Sequence, residues 1–267
     1  MIKIIDTLSY KNKLRNVSPL WKCTFAALLF ILSYLSHPFV QFAIMSWMCI
    51  WTVIYARIPV KYYFVLIGVP CLFYAASLPA IILEIEPLGE ALPMASKSIL
   101  FVIAHWAVSV TETGIWKAGH LFARVAACLS CLTFVTLTIP TTELFQVLKK
   151  LRMPSLVLEL MLIMYRFLFL LLDTASTMYK AQLTRGGHAN FRSKLTDMSV
   201  LIVRLFDKTM HRYKGLSYGL TARGFTEEIQ MAPYAAKPMP PRYNWEGRIG
   251  IVILVLIEIW FRWRETV

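Results

Sequence analysis

The chain has 267 residues, of which 58% are hydrophobic and 13% aromatic, and its mean hydropathy is +0.59. This excludes a soluble domain of that length and predicts an all-α membrane protein. The net charge of +13 lies in segments between apolar runs, as in cytoplasmic loops, which argues for a lipid bilayer and against nucleic acid as the partner.

The amino-terminal tail carries Lys3, Lys11, Lys13, Arg15 and Lys22 ahead of the first apolar run. No small-x-small cleavage site follows Leu35, and a second apolar run starts at Phe39, so the two runs read as an uncleaved hairpin. Candidate spans are 23–35, 39–56, 62–83, 118–139 and 247–261, about five in all; the first and last are shorter than the usual figure of about 20 residues. Pro38 and Pro59 fall in the first two connections, where a missing donor does least harm.

Two other apolar stretches are ambiguous. Residues 99–110 are too few to cross as a helix and include His105, which suggests an interfacial or re-entrant piece. Residues 156–172 are enough to cross but are interrupted by Glu159 and Arg166 and followed by Asp173, and ionisable groups at membrane depth are expensive.

Loop charge sets the expected topology. The tail and the connection with Arg57 and Lys61 are basic, whereas Glu84, Glu86 and Glu90 follow the third span, so the tail is inside and the acidic loop outside. Residues 140–246 then carry fifteen Lys/Arg against eight Asp/Glu and belong in the cytoplasm. A crossing by 156–172 would export the basic stretch after it, so that helix is expected along the inner face. Three regions follow: 1–139 with about four spans, 140–246 with cytoplasmic or interfacial helices, and 247–267 with the last span.

Within the cytoplasmic region, 143–151 reads as a short amphipathic helix with Leu144, Val147, Leu148 and Leu151 on one face and Lys149, Lys150 and Arg152 toward headgroups. A long helix runs from about Pro154 to Arg185 and is stopped by Gly186-Gly187; a second, amphipathic one runs from about Lys194 to Arg223. Gly215 and Gly219, four apart, mark either a close crossing of the two long helices or flexibility near a helix end. Residues 231–241 contain four prolines and read as an extended linker. Trp245, Trp260 and Trp263 fit interfacial belts around the last span.

Chemistry-bearing constellations are few. Cys23, Cys49 and Cys71 lie singly, and Cys128 and Cys131 sit inside an apolar run without a second ligand pair, which favours helix packing over a disulfide, redox or metal site. The sequence contains no GxxxxGK[ST], HExxH or GxSxG, so no catalytic residue or cofactor site is expected, and ATP, where used, binds another subunit. Arg124, Arg166 and Asp173 fit a buried structural pairing better than a polar pathway. His105 and His120 fit packing or an interface better than catalysis.

The two long helices each end in arginine-glycine, Thr184-Arg185-Gly186 and Ala222-Arg223-Gly224. An arginine at a helix carboxyl end offsets the macrodipole, and its planar fork also suits a carboxylate in a partner's groove. With Ile5 to Tyr10, Pro19 and Lys22, and with Tyr165-Arg166 through Ala181-Gln182, these residues resemble the transmembrane T component of energy-coupling-factor transporters over nearly the whole chain. The cobalt-transport CbiQ branch is the most similar. The resemblance implies a non-catalytic scaffold in a bacterial or archaeal cell membrane. It would join two cytoplasmic ABC ATPases to a substrate-binding membrane S component, with cobalt or nickel ions as cargo. It assigns ATPase coupling to Arg185, Gly186, Ala222, Arg223 and Gly224 on two crossing helices. Arg223 lies in a full Ala-Arg-Gly match, whereas Thr184 stands in place of alanine before Arg185. A self-sufficient secondary transporter or channel is the alternative.

Overall fold

The structure, a computed structural model, describes residues 2–87, 97–103, 106–224 and 241–266, with side chains described outside 83–113 and the extreme ends. They form two compact units, Met1–Pro140 with Ala236–Val267, and Thr141–Ala235.

The first unit is a helical bundle. Helix α1 spans Ile2–Lys11 and α2 Pro19–Leu35; α3, Pro38–Ile50, runs on into a π turn at Trp51–Tyr55; α4 is Val60–Ile82, α5 Glu112–Thr138 and α9 Pro241–Thr266. Proline at the first position starts α2 and α3, where its missing N–H costs nothing. In α4, Pro70 and Pro79 lie inside the helix and each removes one ladder bond. Helices α4 and α5, and α3 with its π turn, are long and apolar enough to cross a bilayer, as is the helix Ser155–Thr184 of the other unit; α2 is a shorter apolar helix. The charges Glu246, Arg248, Glu258 and Arg262 dilute α9.

Its core is aromatic where α2, α3, α5 and α9 meet. Phe25 lies 5.3 Å from Trp51 and 6.1 Å from Phe134, and Trp51 stacks on Tyr55 at 4.6 Å. The wider π turn brings Trp51 and Tyr55 edge-on to Tyr243 of α9, at 6.1 and 5.9 Å. Small residues let α5 pack closely: Ala123, Ala126, Ala127 and Cys131 are all buried, while Cys128 is half-buried.

Both ends of the bundle are tied by polar contacts. At one end the tail clasps the carboxyl terminus of α5: Asn12 Nδ2 donates to Thr138 O at 3.1 Å, and the buried Lys22 Nζ donates to the same oxygen at 3.2 Å. These bonds satisfy a carbonyl that a helix end leaves open. At the other end Glu258 of α9, also buried, accepts from His37 N at 3.0 Å and from Arg262 Nε at 2.9 Å, while Arg262 Nη2 donates to Leu35 O at 2.7 Å. Helix α9 therefore runs the height of the bundle despite its charges.

The stretch expected as interfacial or re-entrant is neither helix nor simple loop. Leu83–Pro87 (β1), Lys97–Ile103 (β2) and Trp106–Thr111 (β3) form a small antiparallel sheet in the order β1-β3-β2, with a bulge between Ile99 and Phe101. Isoleucine, valine, phenylalanine and tryptophan favour pleated pairing, which outweighs the apolar-run reading of 99–110. The position of His105 lies outside the described residues, as does 225–240, which holds all of the expected proline linker except Pro241.

The second unit holds α6 (Thr141–Lys150), α7 (Ser155–Thr184) and α8 (Phe191–Ala222). On α6, Phe145 and Val147 are buried while Leu151, expected on the apolar face, lies beyond the helix and is exposed. Phe145 reaches the edge of Tyr165 on α7 at 5.9 Å, a tertiary contact that helical periodicity alone does not specify. Helices α7 and α8 pair antiparallel: Gln182 Nε2 donates to Asp197 O at 3.0 Å near the turn, and Arg212 Nη1 to Thr174 Oγ1 at 3.0 Å further along.

Candidate functional site

The two arginine-glycine ends share one backbone geometry. Arg185 is the last residue of the α7 turn at φ −91°, and Arg223 occupies the same place on α8 at φ −93°. Each is followed by a glycine in the left-handed region, Gly186 at φ +78° and Gly224 at φ +66°, a conformation that a Cβ opposes. Gly186 N bonds Leu183 O at 3.1 Å and Gly187 N bonds Gln182 O at 2.9 Å, the paired bonds of a Schellman ending; Gly224 N bonds Thr221 O at 3.0 Å, its first half.

Both arginines, Ala222 and both glycines are exposed. Among the described residues neither the Arg185 nor the Arg223 guanidinium has a hydrogen-bonding or ionic partner. Because α7 and α8 are antiparallel, the two ends sit at opposite tips of the helix pair. The 32 residues of α8 put roughly 48 Å between them at about 1.5 Å per residue. Thr184, where alanine was expected, turns its hydroxyl back to Ala181 O at 3.0 Å and leaves the arginine's backbone undisturbed.

One tip is braced by residues that the sequence reading did not single out. Asp197 Oδ2 accepts from His188 N of the α7–α8 turn at 2.7 Å and from Ser193 Oγ on its own helix at 3.2 Å. The His188 side chain is 3% exposed and packs on the Tyr179 ring at 4.8 Å. A Cβ at Gly187 would lie 2.8 Å from Gln182 O and 3.2 Å from Asp197 Oδ2, so the turn closes only around glycine. The signal in the sequence was a serine and an aspartate four residues apart just after a double glycine, a pattern shared by many helix starts.

Gly215 and Gly219 do not mark a close crossing: a Cβ at either would meet nothing within 4 Å. Hydrogen bonds join the two helices elsewhere, from Gln182 Nε2 to Asp197 O and from Arg212 Nη1 to Thr174 Oγ1. Of the three ionisable residues expected in a buried pairing, Arg124 lies over the Tyr34 ring at 5.3 Å, and Arg166 and Asp173 are exposed on α7. His120 is exposed on α5. Among the described residues no group of three or more metal-ligating side chains occurs.

Residues 10–233 match the family described as "Cobalt transport protein", CbiQ. A protein of Methanocorpusculum labreanum, provisionally named fused cobalt transport protein CbiMQ, is 30% identical over 82% of this chain, which spans only 36% of that longer protein. The cobalt transport protein CbiQ of Rhodobacter capsulatus is 26% identical over 86% of this chain and 87% of its own. The energy-coupling factor transporter transmembrane protein EcfT of Lactococcus lactis is 24% identical over 58% of this chain and 60% of its own.

Proposed function

Because the chain belongs to the CbiQ family of cobalt transport proteins, we propose that it is the energy-coupling scaffold of an ATP-driven importer and not an enzyme. Its two arginine-glycine helix ends hold two cytoplasmic ABC ATPases. One observation carries this reading: two exposed guanidiniums on matching helix endings, at opposite tips of a single helical pair, with no partner among the described residues. A planar guanidinium at a fixed tip offers bidentate pairing to a carboxylate. Mounted on stiff helices, such a joint passes a rigid-body displacement along α7 and α8.

The first unit serves as the membrane part and meets a substrate-binding membrane S component. The fused relative supports such a partner, since it joins a portion similar to this chain to further protein in one polypeptide. Cobalt, or nickel, is the proposed cargo, following the names of the relatives. ATP is bound by the ATPases and no cofactor by this chain. The proposed location is the bacterial or archaeal cell membrane with the amino terminus inside. That orientation puts the Asn12 and Lys22 clasp, Arg57 and Lys61 on the cytoplasmic side and the Glu258 clasp outside, in keeping with the bias of basic residues. Unit two stays on the cytoplasmic face, because a crossing by α7 would carry the basic residues of α8 across.

Replacing Arg185 and Arg223 together by alanine tests the assignment. The variant should insert into membranes at the native level while ATPase copurification and cobalt uptake fall to background. Undiminished uptake would sink the scaffold reading.

A further inference from the structure

Helices α7 and α8 enclose a groove of about 410 Å³, lined by Arg166, Phe167 and Leu170 from one helix and Arg212 and Leu216 from the other. Two arginines line this space, and among the described residues no carboxylate does. Asp173, the acid next to Thr174 in sequence, is not part of the lining. Like charges sharing a groove repel, and a bound anion converts that cost into attraction.

The arginines are not equivalent surface charges. Arg212 is anchored, its Nη1 donating to the Thr174 hydroxyl at 3.0 Å; Thr174 is itself buried and bonds Leu170 O at 2.8 Å. Such an anchor limits the side chain to one region and leaves its other donors for a ligand. Arg166 has no hydrogen-bonding or ionic partner among the described residues, although it interrupts one of the most apolar stretches of the chain. The rest of the lining among the described residues is apolar. A small inorganic anion has no use for Phe167, Leu170 and Leu216, whereas an amphipathic anion fits both halves.

We propose that this groove binds the phosphodiester headgroup of an anionic phospholipid, with Arg166 and Arg212 on the phosphate oxygens and Phe167, Leu170 and Leu216 against the adjoining acyl chain. Guanidinium forks match phosphate geometry, and the pairing strengthens beside apolar walls. The assignment uses none of the residues given to ATPase attachment, so it stands or falls separately from that role.

The test uses the full chain reconstituted in phosphatidylcholine vesicles containing a minority of phosphatidylglycerol, then extracted in mild detergent, with retained lipid quantified by mass spectrometry. Phosphatidylglycerol should be enriched on the native chain, and Arg166→Gln with Arg212→Gln should lower that enrichment by at least roughly tenfold, the scale of a single lost charge-assisted contact. A charge-matched control, Arg192→Gln with Lys194→Gln at the exposed start of α8, should leave it unchanged. Thr174→Val keeps both arginines but removes the anchor, and should give a partial loss at unchanged helical content. Equal enrichment in the native chain and the Arg166/Arg212 variant overturns the proposal. So does binding of inorganic phosphate by the native chain without any preference for phosphatidylglycerol, which would assign the two arginines to a free anion.

Discussion

Gly187 sits where the α7–α8 turn closes on itself, and a methyl group there would collide with Gln182 O at 2.8 Å. The obstacle is backbone, so it cannot swing aside. Gly187→Ala should cost about 1–3 kcal/mol, as overpacking does, and should speed hydrogen exchange at the amides of 186–188. Under the proposed scaffold role, attachment of an ATPase at this tip should weaken although Arg185 is intact, because the arginine would lose its fixed mount. The arginine-glycine pairs themselves were legible in the sequence, since glycine after a helix is a stop signal with a steric cause. The brace was not: Asp197 works through His188 and Gln182 as well as through Ser193 on its own helix, and the first two contacts exist only after two helices have folded back on each other.

Helix α9 shows how one element is held at both ends. Near its start Arg242 Nε pairs with Glu246 Oε1 at 2.7 Å, and this hydrogen bond keeps the Glu246 carboxyl below its usual range against the opposing effect of partial burial. A depressed carboxylate pKa means that the folded state binds fewer protons than the unfolded chain between the two values. The stabilisation is therefore complete above the ordinary glutamate value of 4.5 and fades as pH falls through the lower folded value. The effect is small because the pair is solvent-screened. Acid should increase hydrogen exchange over 241–247, and Glu246→Gln should remove that pH dependence while raising exchange at neutral pH. Most helices were legible because each apolar run is long and interrupted at a proline or a charge. The sheet was missed because 99–110 is too short for its pattern to separate strand from helix, and its partner strand lies in a stretch read as the end of a span and an acidic loop.

At the scale of the molecule, orientation is the property with the plainest test. Single cysteines at Lys61 and Lys180, in a chain without its five native cysteines, should react with a membrane-impermeant thiol reagent only from the cytoplasmic side, and one at Trp263 only from the other. Reaction of the Lys180 site from outside would mean that α7 crosses. The charge bias predicted this arrangement from sequence, whereas the clasp of Glu258 on His37 N, which lets a charged helix traverse the bundle, depends on contacts 221 residues apart along the chain. The two arginine tips carry a last consequence. Arg185 rides on a turn locked by Asp197, while Arg223 ends its helix with backbone bonds alone among the described residues, and one chain bearing both handles has no twofold axis to exchange them. Two identical ATPases gripping these handles would therefore occupy inequivalent seats, and their nucleotide sites would be distinguished by the mount and not by their own sequence.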